Sequence, residues 1–295
     1  MRSKCPRTGR RGHFAKEDIQ VNHRQERKSS FREVLLLDLR RSVCSLRFLF
    51  GIFSILAWMI VNIGYELFHY DYALESGTVY LLRMALDGSN MGPVLLVIAA
   101  IPYATTFLSE EECGFRMEME KRTGTYRYCV SKVIATVLSA FLLAVASILL
   151  FLGLLTLLHI PHALQNESMA IYYEELSVTR GVGWYYAVKI ILTGCVCSLS
   201  AMFALFFSSY IPNAYASMLS PMIGYYLWNS MLNLLFPLLP ASIIWQMISP
   251  LNLFFAQVWL GNSLLSFLWT TLFLTLLTAF LGIQFVKRVC MGVTR

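Results

Sequence analysis

The part of the chain with the clearest catalytic potential is a pair of glutamates followed by an arginine. Glu111 and Glu112 are adjacent, and Arg116 follows Glu112 by four residues. Carboxylates act as general acids and bases, so this group has the composition of a site that activates water. Elsewhere no serine–histidine or cysteine–histidine pairing has a supporting motif. The sequence also lacks the phosphate-binding loop G-x-x-x-x-G-K-[ST], so if ATP drives this protein, another chain must bind it.

The order of these residues resembles E-E-x-x-x-R, the signature of CAAX-type intramembrane proteases. The resemblance implies a hydrolytic site that is completed by histidines in later membrane spans. After Arg116, the expected spans contain only His159, at an outer edge and across the bilayer from Glu111 and Glu112. We therefore keep an intramembrane protease as the alternative and predict that the chain is not an enzyme.

Two further sets of potential metal ligands have no partners nearby in the sequence. Cys195 and Cys197 have no neighbouring histidine or carboxylate and are interpreted as buried thiols in a helix. His159 and His162 flank Pro161 and are interpreted as interfacial residues. The sequence therefore predicts neither a metal site nor a cofactor.

The elements that carry these residues are long apolar runs. The chain is 57% apolar and 14% charged, whereas soluble domains are about 25% charged. Runs of about twenty apolar residues cross the roughly 30 Å of bilayer hydrocarbon as helices, and the alternating segments of a membrane barrel are absent. We predict an all-α membrane protein with six transmembrane helices: Phe48–Leu67, Gly92–Leu108, Val133–Ile160, Trp184–Phe207, Ala214–Phe236 and Leu264–Val286.

The basic residues of the chain predict its orientation. Thirteen of the 24 Lys and Arg residues precede the first predicted span, and five more lie between the second and third. Basic residues are retained on the cytoplasmic side, so both termini are predicted to be cytoplasmic. The net charge of +7 thus reflects topology, and no nucleic-acid partner is predicted. We interpret the chain as a multi-pass protein of a bacterial cell membrane.

The region before the first span has two parts. Residues 1–29 are basic and polar and are predicted to be a disordered cytoplasmic tail. In residues 30–47 apolar side chains alternate with arginines, and Ser30 with Glu33 fits a capping box at a helix start. We predict an amphipathic helix in the inner membrane interface, with its arginines near lipid head groups. A plain cytoplasmic flank is the alternative.

Residues 109–132 form a charged connection between the second and third spans. Ser109 with Glu112 fits a second capping box. Gly124 is predicted to end the first helix in a left-handed conformation, and Thr125 to cap the next one. The segment is predicted to be a helical hairpin in the cytoplasm, either a solvated connection or a docking element. Ion pairs along the helix are predicted at Glu112–Arg116 and Glu118–Arg122.

Polar side chains recur at three- and four-residue spacing along the fifth span. They share one side of a helix, which should face protein or a water-filled path because polar groups are costly in lipid. We predict a pore lining or a dimer seam, with packing between spans as the alternative. Lys189 of the fourth span is predicted to reach the outer boundary. The stripe contains Ser217, Pro221, Gly224, Tyr225, Asn229 and Asn233, and Asn62 of the first span is a further candidate.

Residues 237–263, before the last span, carry no charge and several prolines and tryptophans. A loop in water is rarely so apolar, so we predict a hairpin of short helices that re-enters the outer leaflet. Aromatic anchoring at the membrane surface is the alternative. The other outer connections, His69–Met91 and Pro161–Gly183, are predicted to be loops.

Taken together, four features resemble the permease subunit of type-2 ABC transporters. They are the amphipathic helix, the E-x-x-x-G-like element Glu110–Gly114, the run Arg122…Tyr126…Ser131-Lys132, and the apolar hairpin around Ser249-Pro250. The resemblance covers roughly Phe31 to the C-terminus and implies a six-span domain over residues 48–295. It also implies a second permease half, identical or different, and a separate ATPase subunit that docks after the second span.

The resemblance implies a transporter, interpreted as an exporter of an unidentified substrate. A non-transporting membrane assembly or immunity factor is a further alternative. The residues implied in coupling to the ATPase are Glu110, Glu111, Glu112, Gly114, Arg116, Arg122, Gly124, Tyr126 and Lys132.

Overall fold

The computed structural model describes residues 31–87, 91–102, 104–162, 173, 180–235, 247–254, 258, 260 and 262–292. The predicted tail at residues 1–29 and the predicted cap at Ser30 lie outside these residues. Within them the backbone forms α-helices and no β-strand. The helices are α1 (Phe31–Val43), α2 (Leu46–Asn62), α3 (Gly64–Phe68), α4 (Tyr70–Asp87), α5 (Met91–Ala100), α6 (Ala104–Glu112), α7 (Phe115–Thr123), α8 (Thr125–Leu157), α9 (Val182–Ser208), α10 (Ala214–Leu235), α11 (Pro250–Phe254) and α12 (Ser263–Cys290).

Three of the described helices, α8, α9 and α12, are long and apolar enough to cross a membrane. The 33 residues of α8 give a length of roughly 50 Å at about 1.5 Å per residue. These helices correspond to the third, fourth and sixth predicted spans. Each is a long apolar run whose backbone hydrogen bonds are made within the helix, as a membrane interior requires. The prediction of an all-α chain with membrane-spanning helices is confirmed to this extent.

Helices α1 and α2 together form a fourth candidate span, bent by 50°. The bend falls at Cys44 and Ser45, between the two helices. The Ser45 hydroxyl oxygen accepts a hydrogen bond from the Phe48 amide at 3.1 Å and so caps the start of α2. The segment predicted as one amphipathic helix at residues 30–47 is therefore divided by this cap.

The prediction that His69–Met91 is a loop is wrong, because α4 covers most of it. Gly77, with φ = 73°, kinks α4, and the turns that follow bury Val79, Leu82 and Ala85 completely. The sequence pattern does not predict this helix, because a glycine and several polar residues interrupt the apolar run. The segment predicted as the second span is divided into two short helices, α5 and α6, and is not among the candidate spans of the described helices.

Helices α4, α5 and α6 run alongside α8. At one end, the Thr78 amide donates a hydrogen bond to the Pro161 carbonyl, just beyond the C-terminal end of α8, at 3.0 Å. At the other end, Glu110 binds Lys132 near the start of α8. The three short helices therefore cover much of the length of one long helix.

The described helix ends lie in two groups. We call the group around Lys132 the Lys132 end, and the group around His162, beyond the C-terminal end of α8, the His162 end. Val133 of α8 and Gly282 of α12 line the same groove, so the start of α8 lies near the last turns of α12. Arg288 of α12 donates a hydrogen bond from Nε to the Ser209 carbonyl, just after α9, at 3.2 Å. The start of α8 and the ends of α6, α9 and α12 thus lie at the Lys132 end.

Helix α9 lies at the centre of the described helices. It packs against α5, α8, α10 and α12, and most of its side chains are buried. Lys189 of this helix is only 1% exposed, so the prediction that it reaches the outer boundary is wrong. The reason is that neighbouring helices enclose this part of α9, which a single-span pattern does not reveal.

Part of the predicted outer hairpin at residues 237–263 lies outside the described residues. The described part contains the short helix α11, in which Leu253 is fully buried. The indole N–H of Trp269 on α12 donates a hydrogen bond to the Met247 carbonyl at 3.2 Å. Asn262 then caps α12 by accepting a hydrogen bond from the Leu264 amide at 2.8 Å. This part of the hairpin is therefore held against the helices.

Candidate functional site

Helix α1 turns a polar face toward the rest of the protein. Val34, Asp38 and Ser42 are buried, whereas Leu36 and Leu37 are 65% and 43% exposed. Residues four apart share one face of a helix, and α1 packs against α8. The leucines thus face outward and a carboxylate faces inward, the reverse of a helix that covers a soluble core. The outward side of α1 also carries charged residues, among them Arg32, Glu33 and Arg40, so the helix is exposed on a mixed face and carries one carboxylate into the protein.

Asp38 belongs to a buried group of three charges at the Lys132 end. The Lys132 ammonium donates hydrogen bonds to Asp38 Oδ1 at 2.9 Å and to Glu110 Oε1 at 2.7 Å. Asp38 and Lys132 are each 1% exposed, and Glu110 is 7% exposed. We call Asp38, Glu110 and Lys132 the Lys132 cluster. Its members come from α1, α6 and α8, so it ties three separate helices together.

Hydroxyl groups complete the hydrogen bonding of the Lys132 cluster. Ser131 Oγ donates to Asp38 Oδ2 at 2.7 Å, and the Tyr128 hydroxyl donates to Glu110 Oε2 at 2.6 Å. Each carboxylate therefore accepts a bond at both oxygens. Buried charges are tolerated when they are paired and their remaining lone pairs are bonded, and this cluster meets both conditions.

Arg41 balances the charge of the Lys132 cluster. Two carboxylates and one ammonium leave one negative charge. Arg41 Nη1 lies 3.9 Å from Glu110 Oε1, with a side chain that is 47% exposed. Its guanidinium also lies 5.4 Å from the centroid of the Phe115 ring. Arg41 thus makes the group neutral and connects it to the first residue of α7.

Two glycines mark the ends of α7. Gly114 precedes it with φ = 71° and ψ = 2°, a left-handed conformation, and Gly124 follows it with φ = 84° and ψ = 138°. Glycine reaches positive φ without the steric cost of a Cβ atom. The prediction that Gly124 ends the helix is confirmed, but the predicted left-handed helical conformation is wrong, because φ is positive while ψ is extended. These two positions let the chain leave helical geometry on both sides of α7.

The predicted caps beside α7 are wrong. Helix α6 begins at Ala104, so Ser109 lies inside it and donates its hydroxyl hydrogen to the Thr106 carbonyl at 2.9 Å. Ile101 and Pro102 form a turn after α5, and α6 starts at Ala104, five residues before Ser109. At the other side Gly124, rather than Thr125, is the residue that precedes α8.

Of the two predicted ion pairs, one is confirmed. Arg122 Nη2 lies 2.8 Å from Glu118 Oε1, within the exposed α7. The prediction that Glu112 and Arg116 share a helix is wrong, because α6 ends at Glu112 and Arg116 lies in α7. Gly114 lies between the two helices and breaks the four-residue register. The side chains of Glu112 and Arg116 are outside the described part of the structure.

The predicted coupling residues divide into a buried set and an exposed set. Glu110 and Lys132 lie inside the Lys132 cluster and do not reach the surface. Arg122 is exposed, and Tyr126, on the first turn of α8, is 66% exposed. Met117, which the sequence did not single out, is 69% exposed on α7. The exposed members of the predicted coupling set thus include residues on α7 and on the first turn of α8.

The predicted polar stripe lies on α10 and changes character along it. Ser217 is fully buried and donates a hydrogen bond to the Ala204 carbonyl of α9 at 2.7 Å. Tyr225 is also buried, whereas Asn229 is partly exposed and Asn233 is exposed. The stripe is therefore packed near the Lys132 end and open to the surface toward the C-terminal end of α10.

Asn62 lies apart from this stripe. Its side-chain amide donates a hydrogen bond to the Ala85 carbonyl of α4 at 3.2 Å. The bond joins the last residue of α2 to α4. Asn62 thus contributes to the packing of α2 against α4 and does not extend the surface of α10.

The histidines that a protease site would need lie at the far end of the described helices. The His162 ring is 3.2 Å from both Thr78 Oγ1 and Thr156 Oγ1, near the C-terminal end of α8. Glu111 lies beside Glu110, at the Lys132 end. Among the residues that the structure describes, no group of three His, Cys, Asp or Glu side chains is placed to hold a metal ion.

Comparison of the chain with protein-family models, with curated proteins and with solved structures finds no match. The resemblance to type-2 ABC permeases therefore stays a prediction from the sequence. Function is inferred below from the residues and contacts of this chain.

Proposed function

We propose that this chain is the transmembrane permease subunit of an ABC-type exporter whose ATPase is a separate chain. The observation that carries the proposal is the Lys132 cluster. It joins α1, α6 and α8 through buried ionic hydrogen bonds on both sides of the exposed helix α7. A soluble partner that moves α7 would thus act on three helices at once.

The proposed protein crosses the membrane six times, with both ends in the cytoplasm. The crossings would be α2 with α3, the broken series α4 to α6, and then α8, α9, α10 and α12. Asp38 of α1 and Arg288 near the end of α12 both lie at the Lys132 end. Exposed basic side chains at this end include Arg122, Arg127 and Lys287, which supports a cytoplasmic location under the positive-inside rule.

In the proposed mechanism, closure of the partner ATPase dimer displaces α7. Glu110 precedes Gly114 by four residues, and Lys132 follows Gly124 by eight. The Lys132 cluster therefore clamps the chain on both sides of α7, and a displacement passes into the long helix α8 and into α1. A second permease half, identical or different, would complete the translocation path. The chain itself would hydrolyse neither ATP nor peptides.

The two alternatives have weaker support. A CAAX-type protease needs its carboxylates, arginine and histidines together, but the EExxxR residues are divided between α6 and α7. The described histidines after them also lie at the other end of α8. A non-transporting assembly or immunity factor would need no partner ATPase, so it is separated from our proposal by the test below.

Photo-crosslinking from α7 tests the proposal. A benzophenone amino acid replaces Met117, which is 69% exposed, and the full-length chain is expressed in its host membrane. We expect ultraviolet light to attach a chain that also binds an azido-ATP probe. The matched control is the same replacement at Leu157, 78% exposed at the far end of α8, where no such chain should be captured.

Charge reversal gives a second measurement on the same surface. Glu118→Lys should weaken capture of the ATP-binding chain while leaving membrane insertion intact, because Glu118 is exposed on α7. If Met117 captures no ATP-binding chain, or if Leu157 captures it equally, the permease proposal fails. Peptide hydrolysis that is lost on Glu111→Ala would instead favour the protease.

A further inference from the structure

A cavity of about 510 Å³ lies between α5, α9, α10, α11 and α12. This volume is within the range of roughly 300–1,000 Å³ that is usual for ligand pockets. Its wall includes Leu96, Leu199, Phe203, Tyr225, Trp228 and Leu277. The cavity does not include the Lys132 cluster, so it is a separate feature of the fold.

The chemistry of the wall indicates an uncharged, apolar occupant. Among the described residues that line the cavity none is charged, and most are leucine or aromatic. The hydroxyl of Ser200 donates its hydrogen bond to the Leu96 carbonyl and is thereby satisfied within the protein. A charged or strongly polar ligand would lose its hydration here without compensation. A hydrocarbon chain has no favourable hydration to lose on entering the cavity.

Aromatic contacts and one glycine keep this space open. Phe254 of α11 meets the Tyr225 ring edge-to-face at 5.4 Å and the Trp228 ring at 6.3 Å, which fixes these side chains on the wall. A Cβ atom at Gly224 would lie 2.9 Å from Phe203 Cζ. Glycine at this position lets the Phe203 ring lie against the α10 backbone. Protein interiors are otherwise close-packed, so a space of this size calls for an occupant.

The mouth of the cavity opens along α10. Leu227, Met231 and Leu235 line the cavity and are also 60%, 63% and 44% exposed. They continue into a face of exposed apolar side chains on α10 that includes Ile223 and Leu234. In a membrane such a face lies against hydrocarbon, so an occupant enters sideways from the bilayer.

We propose that this cavity is a lipid site that takes one acyl chain of a membrane phospholipid, with the head group left outside the mouth. The apolar wall accepts the methylene chain, and the exposed side chains of α10 guide it in. The site depends on membrane insertion of the chain but not on the ATPase partner. It would exist whether or not the protein is a transporter.

Lipid photolabelling tests the site. The purified full-length chain is placed in nanodiscs with a phosphatidylcholine that carries a diazirine in the middle of one acyl chain. We expect label on Leu96 or Leu199, which are 1% and 4% exposed and are out of reach of lipids on the outer surface. Outward residues such as Leu272, 55% exposed, should be labelled by surrounding lipid in any case. Label confined to outward residues would overturn the proposal, including the case in which a second copy of the chain closes the mouth.

Two variants of α12 test whether labelling of the interior residues depends on the cavity. Leu277→Trp fills part of the cavity and should lower labelling of Leu96 and Leu199 by about fivefold or more, since a packed site cannot also hold a chain. Leu276→Trp is the matched control, because Leu276 is 61% exposed on the same helix and does not line the cavity. Equal labelling of the interior positions in both variants would contradict the proposal. The labelling pattern of the unaltered chain decides the question even if Leu277→Trp fails to fold.

Discussion

Removing the charge of Lys132 should destabilise the protein strongly. Lys132→Met leaves Asp38 and Glu110 buried without the ammonium that now lies 2.9 Å and 2.7 Å from their oxygens. Breaking a buried ion pair by removing one partner costs about 3–5 kcal/mol, because an uncompensated charge remains in a poorly solvated place. Asp38→Asn should cost less, about 1–3 kcal/mol, since Lys132 keeps its bond to Glu110.

The same reasoning predicts a rescue. In the triple variant Asp38→Asn, Glu110→Gln, Lys132→Met, no member of the cluster is charged, so the desolvation cost of the stranded carboxylates is removed. The large cost of breaking a buried ion group comes from the charge that is left without a partner, and the triple variant leaves none inside the cluster. We therefore expect the triple variant to be more stable than Lys132→Met alone by about 2 kcal/mol or more. Additive behaviour would make it the least stable of the series.

The measurement is unfolding of the purified chain in mixed micelles, followed by tryptophan fluorescence. Free energies of unfolding are compared from the midpoints at a common slope. Arg122→Met is the control, because the Arg122–Glu118 pair is exposed on α7 and should contribute about 0.2–1 kcal/mol at most. The reasoning is refuted if Lys132→Met is no more destabilising than Arg122→Met, or if the triple variant falls below Lys132→Met.

Two further predictions concern the backbone and α10. Gly124→Ala places a Cβ atom on a residue with φ = 84° and should lower the free energy of unfolding by about 1–3 kcal/mol. The control is Gly183→Ala, at a helical position in α9 with open space around it, which should be neutral or slightly stabilising. Equal effects would mean that the α7–α8 junction is not strained. Ser217→Ala removes the hydrogen bond to the Ala204 carbonyl and should lower the free energy of unfolding in detergent by about 0.6–1.7 kcal/mol. Asn233→Leu, at an exposed position, should change that free energy little.

The long helices were predictable from the sequence because one local property determines them. Helices α8, α9 and α12 are continuous apolar runs, and such a run forms a helix in hydrocarbon whatever its neighbours are. Helix α4 was missed for the opposite reason. Gly77 and nearby polar residues interrupt its pattern, and its burial depends on packing against α2 and α5. Tertiary contacts of this kind leave no periodic signal.

The Lys132 cluster was predicted only in part. Lys132 and Glu110 were singled out as charged residues at the membrane edge, but they were assigned to a surface that faces a partner. Asp38 lies in the predicted amphipathic helix at residues 30–47, where a carboxylate is usually solvated. Its bond to Lys132 joins residues 94 apart in the chain, a separation at which spacing carries no information. The sequence does contain one signal of the cluster. A carboxylate such as Asp38 close to a membrane span needs a cation nearby to offset the cost of its burial.

The position of the cluster limits which parts of the molecule can move separately. Because Asp38, Glu110 and Lys132 are buried and mutually bonded, α1, the end of α6 and the start of α8 must move as one unit while the cluster holds. Outside this unit the backbone leaves helical geometry at the bend of 50° between α1 and α2 and at the two glycines beside α7. Under the proposed function, a force on α7 would displace α1 and α8 together and change the bend at Ser45. Under the proposed function, the angle between α1 and α2 is thus the quantity that ATP hydrolysis on the partner should change.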